Sequence, residues 1–236
     1  MRISIESLLS GASRATGTVA IIDVFRAFTT AAVALANGAS RIVMTGTVEE
    51  ALSLRDAGLI QVCMGEAHGL MPASFDFGNS PFAVSQADLR GKAIAQRTSA
   101  GTQGIVAASR ADRLFAAALV TAGATARACL ASGADEFSLV AMGKNAVART
   151  DEDELCALHM RNVLEGRNGN KRAVRELILA GAEAPRFARA NPPHLYPEDL
   201  EIALDVDRFD FAVAVIMEQG RPVARLSRPP VADGKA

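Results

Sequence analysis

The stretch Ala20-Ile21-Ile22-Asp23-Val24-Phe25-Arg26-Ala27-Phe28-Thr29-Thr30 is an apolar run that ends in a carboxylate, followed closely by an arginine and two threonines. Such a run reads as a buried strand, and the residues after it open a helix. That order puts an acid, a cation and hydroxyls at the carboxyl edge of a sheet, where open α/β folds bind ligands and helix amides favour anions. An edge of this kind suits a metal ion or a phosphate group.

The rest of the chain continues the rhythm. After a short N-terminal lead, Thr18 to Asp23 reads as a strand and Arg26 to Asn37 as a helix closed by Gly38. Arg41 to Thr45 is a second strand, Val48 to Ala57 a helix that Thr47 can cap, and Leu59 to Met64 a third strand. Gly65 to Gly91, with its glycines, prolines and scattered polar residues, reads mostly as a long loop, a kind that is usually functional or disordered. Beyond it, Lys92 to Gln96, Arg113 to Val120 and Glu136 to Met142 read as strands, and Thr102 to Arg110 and Thr121 to Ser132 as helices. After Lys144 the character changes. Thr150, with Glu152 and Asp153, starts an acid-first helix to about Leu164; Arg172 to Ala180 is another, Tyr196 to Leu200 opens a third, and Phe209 to Met217 returns as a strand.

Repeated strand and helix units predict a three-layer α/β/α fold with a largely parallel or mixed sheet and a helical C-terminal half packed on it. The 236 residues form one α/β domain or two closely packed lobes, about 1–143 and 144–228, with 229–236 as a flexible tail. Half of the residues are hydrophobic, enough for a substantial core. A net charge of -1 lacks the positive field of a general nucleic-acid binder, so no nucleic-acid partner is expected and any anion site must be built locally. Cys63, Cys129 and Cys156 are far apart and in no CxxC pattern, which argues against a disulfide framework or structural zinc and fits a reducing cytoplasm. No stretch reaches the roughly 20 apolar residues of a membrane span, so no membrane partner is expected. A homodimer is the default for a soluble enzyme.

Several polar clusters join the first strand end. Asp23 there has three uses: ligating a hard cation, attacking a phosphoryl group, or capping the following turn. Arg26 can take two phosphate oxygens with its planar fork, pair with Asp23, or lie on the helix surface. Glu66 stands in Gly65-Glu66-Ala67-His68-Gly69 directly after a strand, either facing the same edge or simply solvated. In Phe77-Gly78-Asn79-Ser80-Pro81, Asn79 and Ser80 stabilise a turn or orient a ligand. Thr98-Ser99-Ala100-Gly101-Thr102 can wrap an anion with amides and hydroxyls. It is no Walker A loop, and no GxGxxG follows the first strand, so a nucleotide cofactor is unsupported. The acidic run Asp151 to Glu154 is a solvated helix start or an approach to the site. Cys156 reads as a small buried hydrophobe, His68 as a loop histidine that can assist proton transfer, and His159 and His194 have no metal-binding spacing.

In order and approximate spacing, Ile22-Asp23-Val24-Phe25-Arg26-Ala27, the clusters around Glu66, Asn79 and Ser99, and Asp151-Glu152-Asp153-Glu154-Leu155-Cys156 resemble the 2-phosphosulfolactate phosphatase family, from about Val19 to about Val215. The resemblance implies a magnesium-dependent hydrolase of a small acidic phosphate ester, 2-phosphosulfolactate, giving sulfolactate and phosphate in a step that can feed coenzyme M synthesis or related sulfonate metabolism. It implies Asp23, Arg26 and Glu66 as catalytic residues. Asp23, Glu66 and Asp153 are the implied magnesium ligands, with Glu152 the alternative to Asp153. Arg26, Asn79, Ser80, Ser99, Gly101 and Thr102 are the implied substrate contacts. Asp23 ligates the metal or attacks phosphorus; water activated near Glu66 is the competing scheme. Ala100 stands where the family usually has Asn, and Met142-Gly143 replaces an expected Ala-Gly pair. These departures leave room for another small phosphorylated carboxylate as substrate, and a non-catalytic anion-binding protein is the remaining alternative.

Overall fold

The computed structural model describes residues 1–188 and 194–228. The expected tail, 229–236, lies outside the described residues. The first half of the chain runs β1 (Arg2–Ser7), α1 (Leu8–Arg14), β2 (Gly17–Ile22), α2 (Ala27–Ala36), β3 (Arg41–Met44), α3 (Val48–Asp56), β4 (Val62–Gly65), α4 (Pro81–Ser85), β5 (Ala93–Arg97) and α5 (Gly101–Ala107). There follow β6 (Ala111–Ala117), a 3-10 turn at Leu119–Thr121, α6 (Ala122–Ala131), β7 (Glu136–Ala141) and α7 (Asp151–Leu164). The last elements are α8 (Lys171–Leu179), α9 (Pro185–Ala188), α10 (Pro197–Ala203), β8 (Ala212–Glu218) and β9 (Arg221–Ser227).

β2 is buried at every residue, and its side chains alternate between two cores, Val19 and Ile21 into one and Ala20 and Ile22 into the other. This period-2 division is why the run carries no polar face. The first core holds Phe28, Ala31 and Leu35 of α2, Val84 of α4 and Ile105 of α5. α2 is buried along nearly its whole length, from Ala27 to Leu35, because its apolar residues surround it and its two polar ones, Thr29 and Thr30, donate to Val24 O and Arg26 O, each at 2.8 Å. The opposite face carries α6, α7, α8 and α10 through Ala126, Met160, Ile178 and Ala203, and a smaller cluster under α3 formed by Ala51, Leu54, Val43 and Ala95. The result is the expected three-layer α/β/α arrangement.

The nine strands lie in the order β1-β7-β2-β6-β8-β9-β3-β5-β4. β1, β7, β2 and β6 pair in parallel, as do β3, β5 and β4. The β8–β9 pair joins these groups through antiparallel contacts on both sides. Local side-chain caps set some helix starts: Thr47 accepts from Glu50 N–H at 3.1 Å at the start of α3, and Asn170 accepts from Ala173 N–H at 3.0 Å at the start of α8.

The structure departs from the sequence reading at several places; the strand expected to Val120 ends at Ala117 before the 3-10 turn, and α9 is an additional short helix. The N-terminal lead is β1 plus α1, an edge strand that offers the core only Ile3 and Ile5 and so shows little apolar signal. The long loop contains α4, a single short helix whose Ser80 Oγ accepts from Ala83 N–H at 3.0 Å. β9 went unassigned because only Val223 and Ala224 of its residues are buried. Among the described residues no helix is long and apolar enough to cross a membrane. All three cysteines are buried and free.

Candidate active site

The carboxyl ends of β2, β4, β5 and β7 come together around a cavity of about 330 Å³, so strand ends from both parallel groups contribute to it. Asp23, Arg26, Glu66, Asn79, Ser99 and Glu152 line it, with Lys144, Arg186 and His194. Gln96 at the end of β5 ties the two groups together, its Nε2 donating to Ala27 O at 2.8 Å at the start of α2.

In the loop after β5, Ser99 and the Gly101 amide are directed to the protein's own carboxylates. Glu66 accepts a short hydrogen bond from Ser99 N–H, another from Ser99 Oγ at 2.9 Å, and one from Gly69 N–H at 2.6 Å. Asp23 accepts from Ala27 N–H at 3.0 Å, and the Gly101 amide also favours its charge. Gly101 has to be glycine for this approach: a Cβ there would stand 2.8 Å from Ala27 Cβ and 2.9 Å from Asp23 Oδ2. At the end of β4, Gly65 has φ +129°, and a Cβ would fall 1.9 Å from Arg97 O, so only glycine allows the turn that aims Glu66. Thr98 and Thr102 lock the loop reciprocally, Thr98 N–H to Thr102 Oγ1 at 2.8 Å and Thr102 N–H to Thr98 Oγ1 at 3.1 Å.

Burial decides the electrostatics of the acids. Asp23, 5% exposed, is pushed up to about 6, chiefly by loss of water; the Ala27 amide partly opposes this and the Glu66 charge adds to it. Glu152 is pushed up to about 7, again chiefly by burial, with Glu183 and Asp23 as like charges nearby. Asp153 is held well above the ordinary range by burial and the charges of Asp23 and Glu152. Both Asp153 oxygens are occupied: Val24 N–H donates to Oδ1 at 2.7 Å and Gly143 N–H to Oδ2 at 2.8 Å. It therefore ties the ends of β2 and β7 together.

Arg26 is buried and depends on a residue 173 positions away. Its Nη1 donates to Asp199 Oδ2 at 2.6 Å. Asp199 is fully buried and accepts in addition from Ser80 Oγ at 2.6 Å, Phe82 N–H at 3.0 Å and Tyr196 N–H at 3.2 Å. Burial lowers the basicity of Arg26, and the adjacent Asp199 carboxylate works against that. The Phe187 ring lies 5.9 Å from the Arg26 guanidinium carbon and edge-on to Phe25 at 5.0 Å between ring centroids.

Of the expected site residues, Asp23, Arg26, Glu66, Asn79 and Ser99 meet at the cavity. Ser80, Gly101, Thr102 and Asp153 stand behind its lining: Ser80 serves Asp199 and caps α4, Gly101 backs Asp23, Thr102 is sealed against Thr98, and Asp153 is saturated by amides. Glu152 lines the cavity where Asp153 does not. Among the described residues Asn79 Oδ1 is buried without a hydrogen-bond partner, an acceptor suited to a ligand or ordered water. Among the described residues no group of three or more His, Cys, Asp or Glu side chains is gathered closely enough to hold a metal ion by itself. Magnesium commonly takes only one or two carboxylates and completes its shell with water and phosphate. The oxygen-only pair of Asp23 and Glu152, whose ionised forms are disfavoured by burial in a way that a divalent cation would relieve, fits that smaller demand. Sequence reasoning missed Asp199, Lys144 and Arg186; Asp199 carried a signal only as the acid at the third position of a helix opening at Pro197.

Comparison with known proteins agrees with the chemistry of this cavity. The sequence profile described as 2-phosphosulpholactate phosphatase matches residues 4–190. A protein of Thermoplasma volcanium named probable 2-phosphosulfolactate phosphatase is 32% identical over 190 residues, covering 80% of this chain and 85% of its own. One of Bacillus subtilis with the same name is 29% identical over 196 residues, covering 83% and 85%, and one of Deinococcus radiodurans is 38% identical over 136 residues, covering 56% and 55%. The matched span contains every cavity residue named above except His194, and the chain belongs to the 2-phosphosulfolactate phosphatase family, a family of phosphoric monoester hydrolases.

Proposed function

We propose that this protein hydrolyses a small phosphate monoester bearing further acidic groups, with 2-phosphosulfolactate the substrate and sulfolactate and inorganic phosphate the products. The observation that carries the reading is the buried Arg26 guanidinium, anchored by Asp199 at the rim of a cavity that also holds Asp23, Glu66 and Glu152. A guanidinium with one terminal nitrogen committed to Asp199 keeps other donors for two phosphoryl oxygens, and its fixed position removes the cost of ordering it. Asn79 offers a further polar contact. Glu66 ties the loop after β4 to the loop after β5 through Gly69 and Ser99, which fixes the wall of the cavity opposite Arg26.

Magnesium belongs to this proposal, held by Asp23 and Glu152; bound there it would neutralise charge on the phosphoryl oxygens and the departing alkoxide. In the net reaction an oxygen of water bonds to phosphorus, the ester P–O bond breaks, and the released alkoxide takes a proton. Attack by Asp23 itself, through an acyl phosphate that water then cleaves, is the second form of the chemistry, favoured by the position of this carboxylate at the strand end beside Arg26. A cytoplasmic homodimer completes the proposal, checked by cell fractionation and light scattering.

The test is phosphate release from 2-phosphosulfolactate and a panel of small phosphate esters, with magnesium and with chelator, for the wild type and Asp23→Ala. Selective, magnesium-dependent turnover lost in the variant is expected. Turnover of a different ester replaces the substrate, and no turnover of any ester refutes the reading. Rapid-quench labelling of Asp23 distinguishes carboxylate attack from water attack.

A further inference from the structure

Two basic side chains of the cavity are not used by the phosphatase reading. Lys144 lies between β7 and α7 and Arg186 in α9; both line the cavity that contains Asp23 and Arg26. Their side chains are about half exposed, 48% and 49%, whereas the Glu183 carboxylate between them is only 18% exposed. Lys144 Nζ stands 3.5 Å from Glu183 Oε1, and Arg186 Nη1 makes a closer contact with Glu183 Oε2. One carboxylate shared by an ammonium with three donors and a guanidinium with five leaves both net positive charge and spare donors. Arg186 is also near enough to Arg26 for the two cations to repel, which extends a positive region from the buried guanidinium to the mouth. Phe187, next in the chain, is packed on Phe25, so the segment carrying Arg186 is anchored to the strand end.

We propose that Lys144 and Arg186 form a second anion subsite, which takes the carboxylate or sulfonate of an ester whose phosphoryl group lies at Arg26. The proposal rests on the phosphatase reading and names what sets its substrate class. A monoester with one or two further acidic groups brings several negative charges into a cavity already holding Asp23, Glu66 and Glu152. Beside an Arg26 already paired with Asp199, Lys144 and Arg186 supply the local positive charge such an ester needs, one unit beyond the single Glu183 carboxylate they share. Glu183 acts as a positioning residue: by gathering two long side chains in advance it lowers the ordering cost of binding. An ester with an uncharged alcohol gains nothing at this subsite, so the pair determines preference among esters.

The experiment compares wild type with Lys144→Gln, Arg186→Gln and the double variant on 2-phosphosulfolactate, 2-phospholactate and phenyl phosphate. Calorimetric binding of sulfolactate and of inorganic phosphate runs in parallel. The ratio of kcat/KM for the acidic esters to that for phenyl phosphate is expected to fall about 10- to 100-fold, mainly through KM, as for loss of a charge-assisted contact. Arg186→Lys should recover part of it, and sulfolactate binding should weaken more than phosphate binding. An unchanged ratio, or an equal loss on all three esters and on both bound ions, overturns the subsite. If the wild type releases phosphate from no ester, the phosphatase reading fails and calorimetry decides alone. Sulfolactate binding weakened in the glutamine variants then keeps the subsite, and binding that is absent or unaltered removes it.

Discussion

Replacing Asp199 by Ala would leave the Arg26 guanidinium, 9% exposed, without its counter-charge, and would strip an acceptor from Ser80 Oγ, Phe82 N–H and Tyr196 N–H. Desolvation offsets much of the attraction in a buried ion pair, so its net value against an apolar pair is near zero. Breaking it from one side is another matter, because the remaining charge stays buried, and the loss is about 3–5 kcal/mol. Against the roughly 5–15 kcal/mol stability of a domain, that is a large fraction. Urea denaturation of the wild type, Asp199→Ala, Arg26→Met and the Arg26→Met/Asp199→Ala double variant measures the pair through a thermodynamic cycle. The Asp199→Ala single variant should lose about 3–5 kcal/mol and the double variant much less than the sum of the singles. A single-variant loss below about 1 kcal/mol, or additive losses, would refute the claim that this pair is the internal anchor of the site. Asp199→Asn, which keeps an acceptor but removes the charge, should retain more stability than Asp199→Ala while phosphate release still falls, because Arg26 is no longer held.

Three other outcomes follow from the same geometry. Glu152 has its ordinary value of 4.5 raised to about 7, so the metal-free protein keeps this stability below about pH 4.5 and loses it as pH rises through 7; Glu152→Gln should be more stable than wild type at pH 8 in chelator, by up to about 3 kcal/mol, and equal to it near pH 4, as read by urea titration at the two pH values. Gly65→Ala places a methyl 1.9 Å from Arg97 O, and the expected cost exceeds about 2 kcal/mol with loss of activity; an unaltered melting temperature would contradict it. Asn79→Ala removes a buried oxygen that has no partner among the described residues, so stability should change by less than about 1 kcal/mol while KM for the ester rises several-fold, and a large stability loss with unchanged KM would mark the residue as structural.

Local sequence was enough to determine the elements whose stabilisation is local or periodic. The apolar run of β2, the largely apolar helix after it, the Thr47 cap and the glycines closing α2 and α3 are each decided by residues within one or two turns. The gathering of Asp23, Arg26, Glu66, Asn79 and Ser99 was also legible, because each lies just past the carboxyl end of a strand or in the loop beside it. Elements with little buried surface, β1 and β9, were not legible, since their pairing comes from neighbours distant in the chain. The choice between Glu152 and Asp153 was likewise closed to sequence reading: consecutive helical residues point about 100° apart, and only the packing of α7 against the ends of β2 and β7 turns Asp153 to the amides and Glu152 to the cavity. The same holds for Ser99 and Thr102, whose hydroxyls look available in a list of residues and are consumed by Glu66 and Thr98 once the loop closes. Hydrophobic periodicity determines which segments become strands and helices and thereby brings acids and a cation to one edge of a sheet. Which of those groups is left facing a ligand depends on hydrogen bonds and ion pairs between residues as far apart as Arg26 and Asp199, and these form only when the chain has folded.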